Sequence, residues 1–378
     1  MIYLDNAATS RPLSLALEAF VKASQKDFAN SSSPHFAGND AYRLLEFSRR
    51  KILQAAGVEK THSLIFTSGA TEANNLALKG VAFSYQKRGK RIVSSLTEHA
   101  SVLSALEELR DPFGFSLTLL PCNANGVVEP ETLEKAMGPD VILVSLMAVN
   151  NEMGAINDVK AFSSIVHAYP KAFFHVDATQ AIGKENIDFS CADLVSFSAH
   201  KFGGLKGNGA LLYKRGIRFL PLNSGGDQEH GFRSGTVDVA GAYAMEEAFS
   251  YALAHQAENR KKATELRALL LDGLSSMKEF VSLNGDPAFS SPFITSFALL
   301  KHKASVVVEA LSEKGICVSS HSACNMVEKP TKTLLAMGIS PESAANSIRV
   351  SFGMDSTKED VEGLLSALNE IFQEVHVR

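Results

Sequence analysis

Tryptophan is absent from this chain, and cysteine is scarce, with four residues among 378. Those four, Cys122, Cys191, Cys317 and Cys324, are scattered, with no C-x-x-C pair and no matching histidine spacing. That argues against a disulfide framework and a zinc site, and fits a reducing compartment. No apolar run reaches the roughly 20 residues needed to span a bilayer, and the opening "MIYLDNAATS" carries neither a basic stretch nor a sustained apolar one. The sequence therefore reads as cytoplasmic, with no membrane partner. A large excess of either charge is missing as well: the formal net charge of −4 gives no electrostatic reason to bind nucleic acid. No internal repeat or low-complexity tract stands out. Small molecules and other proteins remain as partners.

A chain of this length exceeds one ordinary core, since single cores stop growing at roughly 250–300 residues, so two lobes are expected. Short β-rich runs alternate with helical stretches: "SLIFTSG" (63–69), "RIVSSL" (91–96), "VILVSLMAV" (141–149), "FFHVDAT" (173–179), "LVSFSAH" (194–200) and "GALLYK" (209–214). Continuous apolar runs of this length indicate strands buried on both faces, and the helices between them indicate a parallel or mixed α/β sheet. From about Tyr243 a long helical pattern begins, followed by β-like "ITSFALL" and "SIRVSF", a helix "KASVVVEALSEKG" and a closing amphipathic helix "TKEDVEGLLSALNEIFQEV". This predicts a second, smaller α+β lobe.

Ligands of such sheets gather where strands end and helices begin. "TSGATEANNLAL" follows one strand and opens a helix near Thr71, so the N–H groups of Gly69, Ala70 and Thr71 can face an anion such as phosphate, unless Ser68 or Thr71 merely caps the helix. In "HVDATQAIG", Asp177 ends an apolar strand, and a carboxylate buried there needs a cationic partner. In "LVSFSAHKFGGLKGNGAL", Ser198, His200 and Lys201 end another strand before a glycine-rich turn. A lysine so placed can be desolvated into an amine nucleophile. Phosphate cradle, buried aspartate and strand-end lysine together are what pyridoxal phosphate requires: an anchor, a partner for the pyridine nitrogen and a Schiff-base lysine. His99 in "TEHAS", just past a strand, offers a flat ring to stack on the pyridine, although a lone histidine is more often a capping or surface group.

"YLDNAAT", "TSGATEANNLALKG", "TEHAS", "NNEMGAI", "HVDATQAIG", "SFSAHKFGG", "RSGT", "SSHSAC" and "SIRVSF" stand in an order that resembles the cysteine desulfurases, in the class V aminotransferase branch of fold-type I pyridoxal phosphate enzymes. The resemblance implies a large cofactor-binding domain over 15–250 with a mostly parallel seven-stranded sheet flanked by helices. It implies a smaller α+β domain from 1–14 and 251–378. It further implies a homodimer that takes sulfur from L-cysteine, leaving L-alanine and a persulfide destined for a sulfur-acceptor protein, as in iron–sulfur cluster assembly or tRNA thiolation. On the matching positions, Lys201 forms the Schiff base, Asp177 pairs with the pyridine nitrogen and Gln180 bonds the ring hydroxyl. Ala70, Thr71, Ser198 and His200 hold the phosphate, with Thr236 reaching in from the other subunit. His99 stacks and assists proton transfer, Asn151 and Arg349 grip the substrate carboxylate, and Cys324 takes the sulfur.

A second thiol is mandatory for that chemistry, and "HSACNMVEKPTKT", polar and unsuited to a regular element, suits a segment that must also meet an acceptor. Cys122, Cys191 and Cys317 read as structural. His321, where the family commonly has glycine, is either a solvated loop side chain or, when protonated, a group that can lower the thiol pKa of Cys324 or relay a proton. A selenocysteine lyase or another class V aminotransferase would keep Lys201 and Asp177 without depending on Cys324. A non-catalytic binding subunit would have lost one of that pair.

Overall fold

A computed structural model describes residues 1–320 and 331–374. Cys324 and His321 fall outside the described residues. In chain order, the strands of the first part are β1 (Ile2–Tyr3), β2 (His62–Thr67), β3 (Arg91–Ser95), β4 (Ser116–Leu120), β5 (Val141–Ser145), β6 (Phe173–Asp177), β7 (Leu194–Ser198) and β8 (Gly209–Lys214). Strands β2 to β8 form one seven-stranded sheet in the order β2-β8-β7-β6-β5-β3-β4. Only β8 runs antiparallel to its neighbours. The six runs read from the sequence are all strands of this sheet. The seventh, β4, escaped notice because it is an edge strand: "SLTLL" is buried only at its last residue and so lacks the apolar continuity of a central strand.

Side chains of the sheet alternate between two apolar layers. Leu64, Phe66, Ala210 and Leu212 join the core beneath helices Ser14–Lys26, Phe36–Ala55 and Val239–Ala254. Ile65 and Leu211, one residue out of phase, join the core under helices Ala70–Tyr85 and Ala100–Arg110. That period of two places a helix layer on each face. The long helical stretch near its middle is not one helix. It breaks at His255 into Val239–Ala254, which packs on the first lobe, and Gln256–Ser275, which packs on the closing helix Lys358–Glu374.

The remaining strands are β9 (Val281–Leu283), β10 (Ile294–Leu299), β11 (Ile316–Cys317), β12 (Ser319–Ser320) and β13 (Ser347–Ser351). Antiparallel β12-β13-β10-β9 and the parallel pair β1-β11 cover a separate core around Leu270, Phe297, Val350 and Leu368. Leu4 and Ala7 belong to that second core. Through them the N-terminal segment is anchored in one lobe while residues 7–10 reach the other. Among the described residues no helix is long and apolar enough to cross a membrane.

A polar chain crosses the middle of the large sheet. His175 of β6 shares hydrogen bonds with Ser145 of β5 at 2.8 Å and Ser196 of β7 at 2.9 Å, and is fully buried. Burial pushes its imidazole down to about 4, against the pull of Asp177. The unfolded chain therefore binds a proton that the folded chain refuses, and stability is complete above the ordinary histidine value and lost as pH falls from about 6.5 toward about 4. Over that window His175 should account for on the order of 3 kcal/mol of lost stability. Urea unfolding of wild type and His175→Gln at a series of pH values checks this. The variant should show a shallower acid slope, and equal slopes would refute the assignment.

Candidate active site

The carboxyl ends of β2, β6 and β7 open into one cavity of about 470 Å³. Ala70, Thr71, His99, Asn151, Asp177, Gln180, Ser198, His200 and Lys201 all line it. Two described residues of the expected site do not. Thr236 is exposed on a loop outside the lining. Arg349, on β13, sits just behind Asn151, donating to the Asn151 carbonyl at 2.8 Å and pairing with Asp5 at 2.8 Å. Cys324 lies outside the described residues.

Helix Ala70–Tyr85 begins at Gly69, whose φ of 152° belongs to glycine, and no side chain caps it. Capping by Ser68 or Thr71 is therefore not what the structure has, and the first-turn N–H groups face the cavity without an intrahelical acceptor. Close approach makes this possible: a Cβ on Gly209 of β8 would stand 2.5 Å from the Gly69 Cα.

Lys201 ends the short turn Ala199–Lys201 that follows β7. Its ammonium donates to the carbonyls of Ala7 at 2.7 Å and Ala8 at 2.6 Å. The same N-terminal segment engages the neighbouring side chains. The Gln180 amide donates to the Ala7 carbonyl at 2.8 Å, and His200 Nδ1 meets the Thr9 hydroxyl at 3.0 Å. Burial pushes His200 down to about 4, with Lys201, Lys206 and Lys184 adding to the effect, so it faces the cavity as a neutral ring.

Asp177 is 5% exposed, yet both of its recorded donors are neutral: Asn74 Nδ2 at 2.8 Å and the Thr179 N–H at 2.9 Å. Among the described residues no Lys, Arg or His forms an ion pair with it, so none of these side chains supplies the cation that burial calls for. Asn74 was not anticipated. It lies one helical turn beyond Ala70, on the same face, and a fully buried asparagine inside a helix was the signal that it must have polar partners. Its amide donates one hydrogen to Asp177 and the other to Ser101 Oγ at 2.9 Å. The Ser101 hydroxyl is thereby free to donate to His99 Nδ1 at 2.8 Å, alongside the Ser101 N–H at 3.2 Å. His99 thus caps helix Ala100–Arg110 through Nδ1, and its neutral form carries the proton on Nε2. The surrounding protein holds this imidazole below its ordinary value, through burial first and the Lys201 charge, with Asp177 opposing.

These features fit pyridoxal phosphate. Asp177 needs a cation, the helix start at Gly69 is an uncapped anion cradle, and buried Thr179 Oγ1 in the same wall has no partner among the described residues. A mostly parallel seven-stranded sheet with a lysine in the turn after a central strand, facing such a cavity, defines a fold-type I pyridoxal phosphate enzyme.

The class-V aminotransferase family model matches residues 2–364. A NifS/IcsS protein homolog of Lactobacillus delbrueckii subsp. bulgaricus is 39% identical over 99% of this chain and 97% of its own. The cysteine desulfurase IscS of Dictyoglomus turgidum is 37% identical over 99% of this chain and 95% of its own. Among solved structures, a NifS-like protein with 34% identity superposes with a TM-score of 0.91, over 99% of this chain and 100% of that one. The chain belongs to the class-V aminotransferase family, among its cysteine desulfurases.

Asn74→Ala should leave Asp177 with one neutral donor fewer. Removing a partner from a buried charged group typically costs about 1–3 kcal/mol, so pyridoxal phosphate should bind roughly tenfold more weakly and stability should fall by a similar energy. Absorbance titration of the cofactor and urea unfolding measure both. Unchanged cofactor affinity would show that Asn74 does not support Asp177.

Proposed function

We propose that the protein is a pyridoxal phosphate-dependent cysteine desulfurase, converting L-cysteine and an enzyme thiol to L-alanine and an enzyme persulfide. The observation that carries this reading is one cavity holding Lys201 on two carbonyls, Asp177 on two neutral donors, and the uncapped helix start at Gly69. When bound, the cofactor supplies an electron sink for the charge that develops on the substrate. Ala70, Thr71, Ser198 and neutral His200 hold its phosphate, and Gln180 bonds the ring hydroxyl. Asn151 and Arg349 take the substrate carboxylate. The fixed Arg349 contacts with Asp5 and with the Asn151 backbone support that pairing, because they hold the guanidinium beside Asn151.

In its free-amine form Lys201 is the base for the Cα proton. His99, neutral with its proton on Nε2, presents its ring to the cavity and assists proton transfer. Cys324 is the thiol that attacks the substrate sulfur. The Cβ–S bond breaks, protons return to the carbon skeleton, and no outside oxidant or reductant is needed. The other thiols are less suited: none of Cys122, Cys191 and Cys317 lines the cavity, and burial raises the Cys122 and Cys191 thiols above their ordinary value. Chemistry that depends on a free thiol suits a cytoplasmic setting.

The reading includes a homodimer and a sulfur-acceptor protein, such as an iron–sulfur scaffold. Exposed Leu17, Val21, Phe36 and Tyr42 on helices Ser14–Lys26 and Phe36–Ala55, with Phe28 between them, support a self-association face. Exposed Thr236 is then available to the partner's phosphate site. The division into 15–250 and 1–14 with 251–378 is part of the same reading, supported by separate apolar cores that meet near the break at His255.

Incubation of the holoenzyme with L-cysteine and a reducing thiol should yield alanine and sulfide in equal amounts. Lys201→Ala should yield neither. Cys324→Ser should bind the cofactor and L-cysteine normally but release almost no alanine, because a hydroxyl is a far poorer nucleophile than a thiolate. Normal turnover by Cys324→Ser would favour a selenocysteine lyase-like mechanism, and full turnover by Lys201→Ala would overturn the assignment.

A further inference from the structure

Lys184 is a buried amine that the proposed chemistry does not use. It is 7% exposed, is not in the lining of the active-site cavity, and lines a smaller cavity of about 170 Å³ that Lys201 also borders. Among the described residues no carboxylate pairs with it within ion-pair distance. Burial pushes the amine down to about 7, with the charges of Lys201 and Arg349 adding to the effect and Glu185 opposing it. Glu185 itself pairs with Arg260 at 3.0 Å. A buried amine without a counter-ion is costly, and a hydrogen bond offsets part of that cost. That bond runs from Lys184 Nζ to Gln180 Oε1 at 2.8 Å.

The Gln180 side chain is held from two sides. Its oxygen accepts from Lys184, an amine that donates both with and without its proton, and its nitrogen donates to the Ala7 carbonyl, which can only accept. Turning the amide over would set its NH₂ against the amine and its oxygen against the carbonyl, losing both bonds. One amide hydrogen is left over, on a side chain that lines the cavity.

We propose that Lys184 is a positioning residue that acts through Gln180: it fixes the amide with its nitrogen available to the cavity, so that Gln180 can only donate to the cofactor. This rests on the pyridoxal phosphate reading above. A ring oxygen that accepts a hydrogen bond is thereby favoured, and a ligand group that must donate at that point is refused.

A double-mutant cycle tests the idea, with the dissociation constant of pyridoxal phosphate read by absorbance titration and the melting temperature of each apoprotein as a control. Lys184→Met keeps the apolar stem and removes the donor, and should weaken cofactor binding roughly tenfold, the loss of about one well-placed hydrogen bond. Lys184→Arg, which retains a donor, should stay within about threefold of wild type. In a Gln180→Met background, Lys184→Met should change affinity by less than about twofold, because the group it acts through is gone. Since the amine donates in either protonation state, the Lys184→Met effect should be alike at about pH 6 and about pH 8. Wild-type affinity in Lys184→Met, or equal weakening in both backgrounds, overturns the proposal. If Lys184→Met folds poorly, Lys184→Leu replaces it in the same cycle. A wild-type protein that binds no pyridoxal phosphate would instead defeat the cofactor reading itself.

Discussion

Two backbone carbonyls organise this site. Those of Ala7 and Ala8 accept the two recorded bonds of the Lys201 ammonium, and the Ala7 carbonyl also holds Gln180. Being main-chain atoms, they are placed by the path of the segment rather than by side-chain choice. That path is set by β1 pairing with β11, by Leu4 buried in the smaller core, and by the Ala7 N–H bonded to Ser351 Oγ at 2.8 Å. Lys201 of one lobe is thus oriented by the packing of the other. Asp5 extends the arrangement by holding Arg349, which also donates to the Asn151 carbonyl of the large lobe.

The large sheet supplies what that segment cannot. Strands β6 and β7 are buried along every residue but the first of β6, and they deliver Asp177 and Ser198 at adjacent carboxyl ends. Asn74, Ser101 and His99 then join that carboxylate to the ring by an unbroken hydrogen-bond chain from two different helices. Burial acts in one direction on the site's histidines, depressing His99 and His200, so the cavity is furnished with neutral rings near the buried carboxylate of Asp177. Such a site is ready for a cofactor that brings its own positive ring and negative phosphate.

Much of this was legible in the sequence, for a physical reason. Central strands buried on both faces are continuously apolar, so Asp177 and Lys201 at their ends stand out against a hydrophobic background. The half-exposed edge strand β4 had no such contrast. Main-chain acceptors are invisible to residue chemistry, which is why "YLDNAAT" offered a resemblance but no role, although Ala7 and Ala8 hold the lysine. Asn74 and Lys184 were hidden for another reason: each is an ordinary residue of a helix or turn until burial on all sides turns it into a fixed donor. Thr236 and Arg349 lie outside the lining of this chain's own cavity, the first exposed on a loop and the second bonded to the Asn151 carbonyl.

The account depends on one lysine being held for the cofactor while a buried amine, Lys184, borders a smaller cavity beside it. Borohydride reduction of the pyridoxal phosphate-loaded protein, followed by peptide mapping, asks which amine carries the cofactor. The account requires the label on Lys201 alone. A label on Lys184 or Lys206, or none at all in a protein that binds the cofactor, would contradict it.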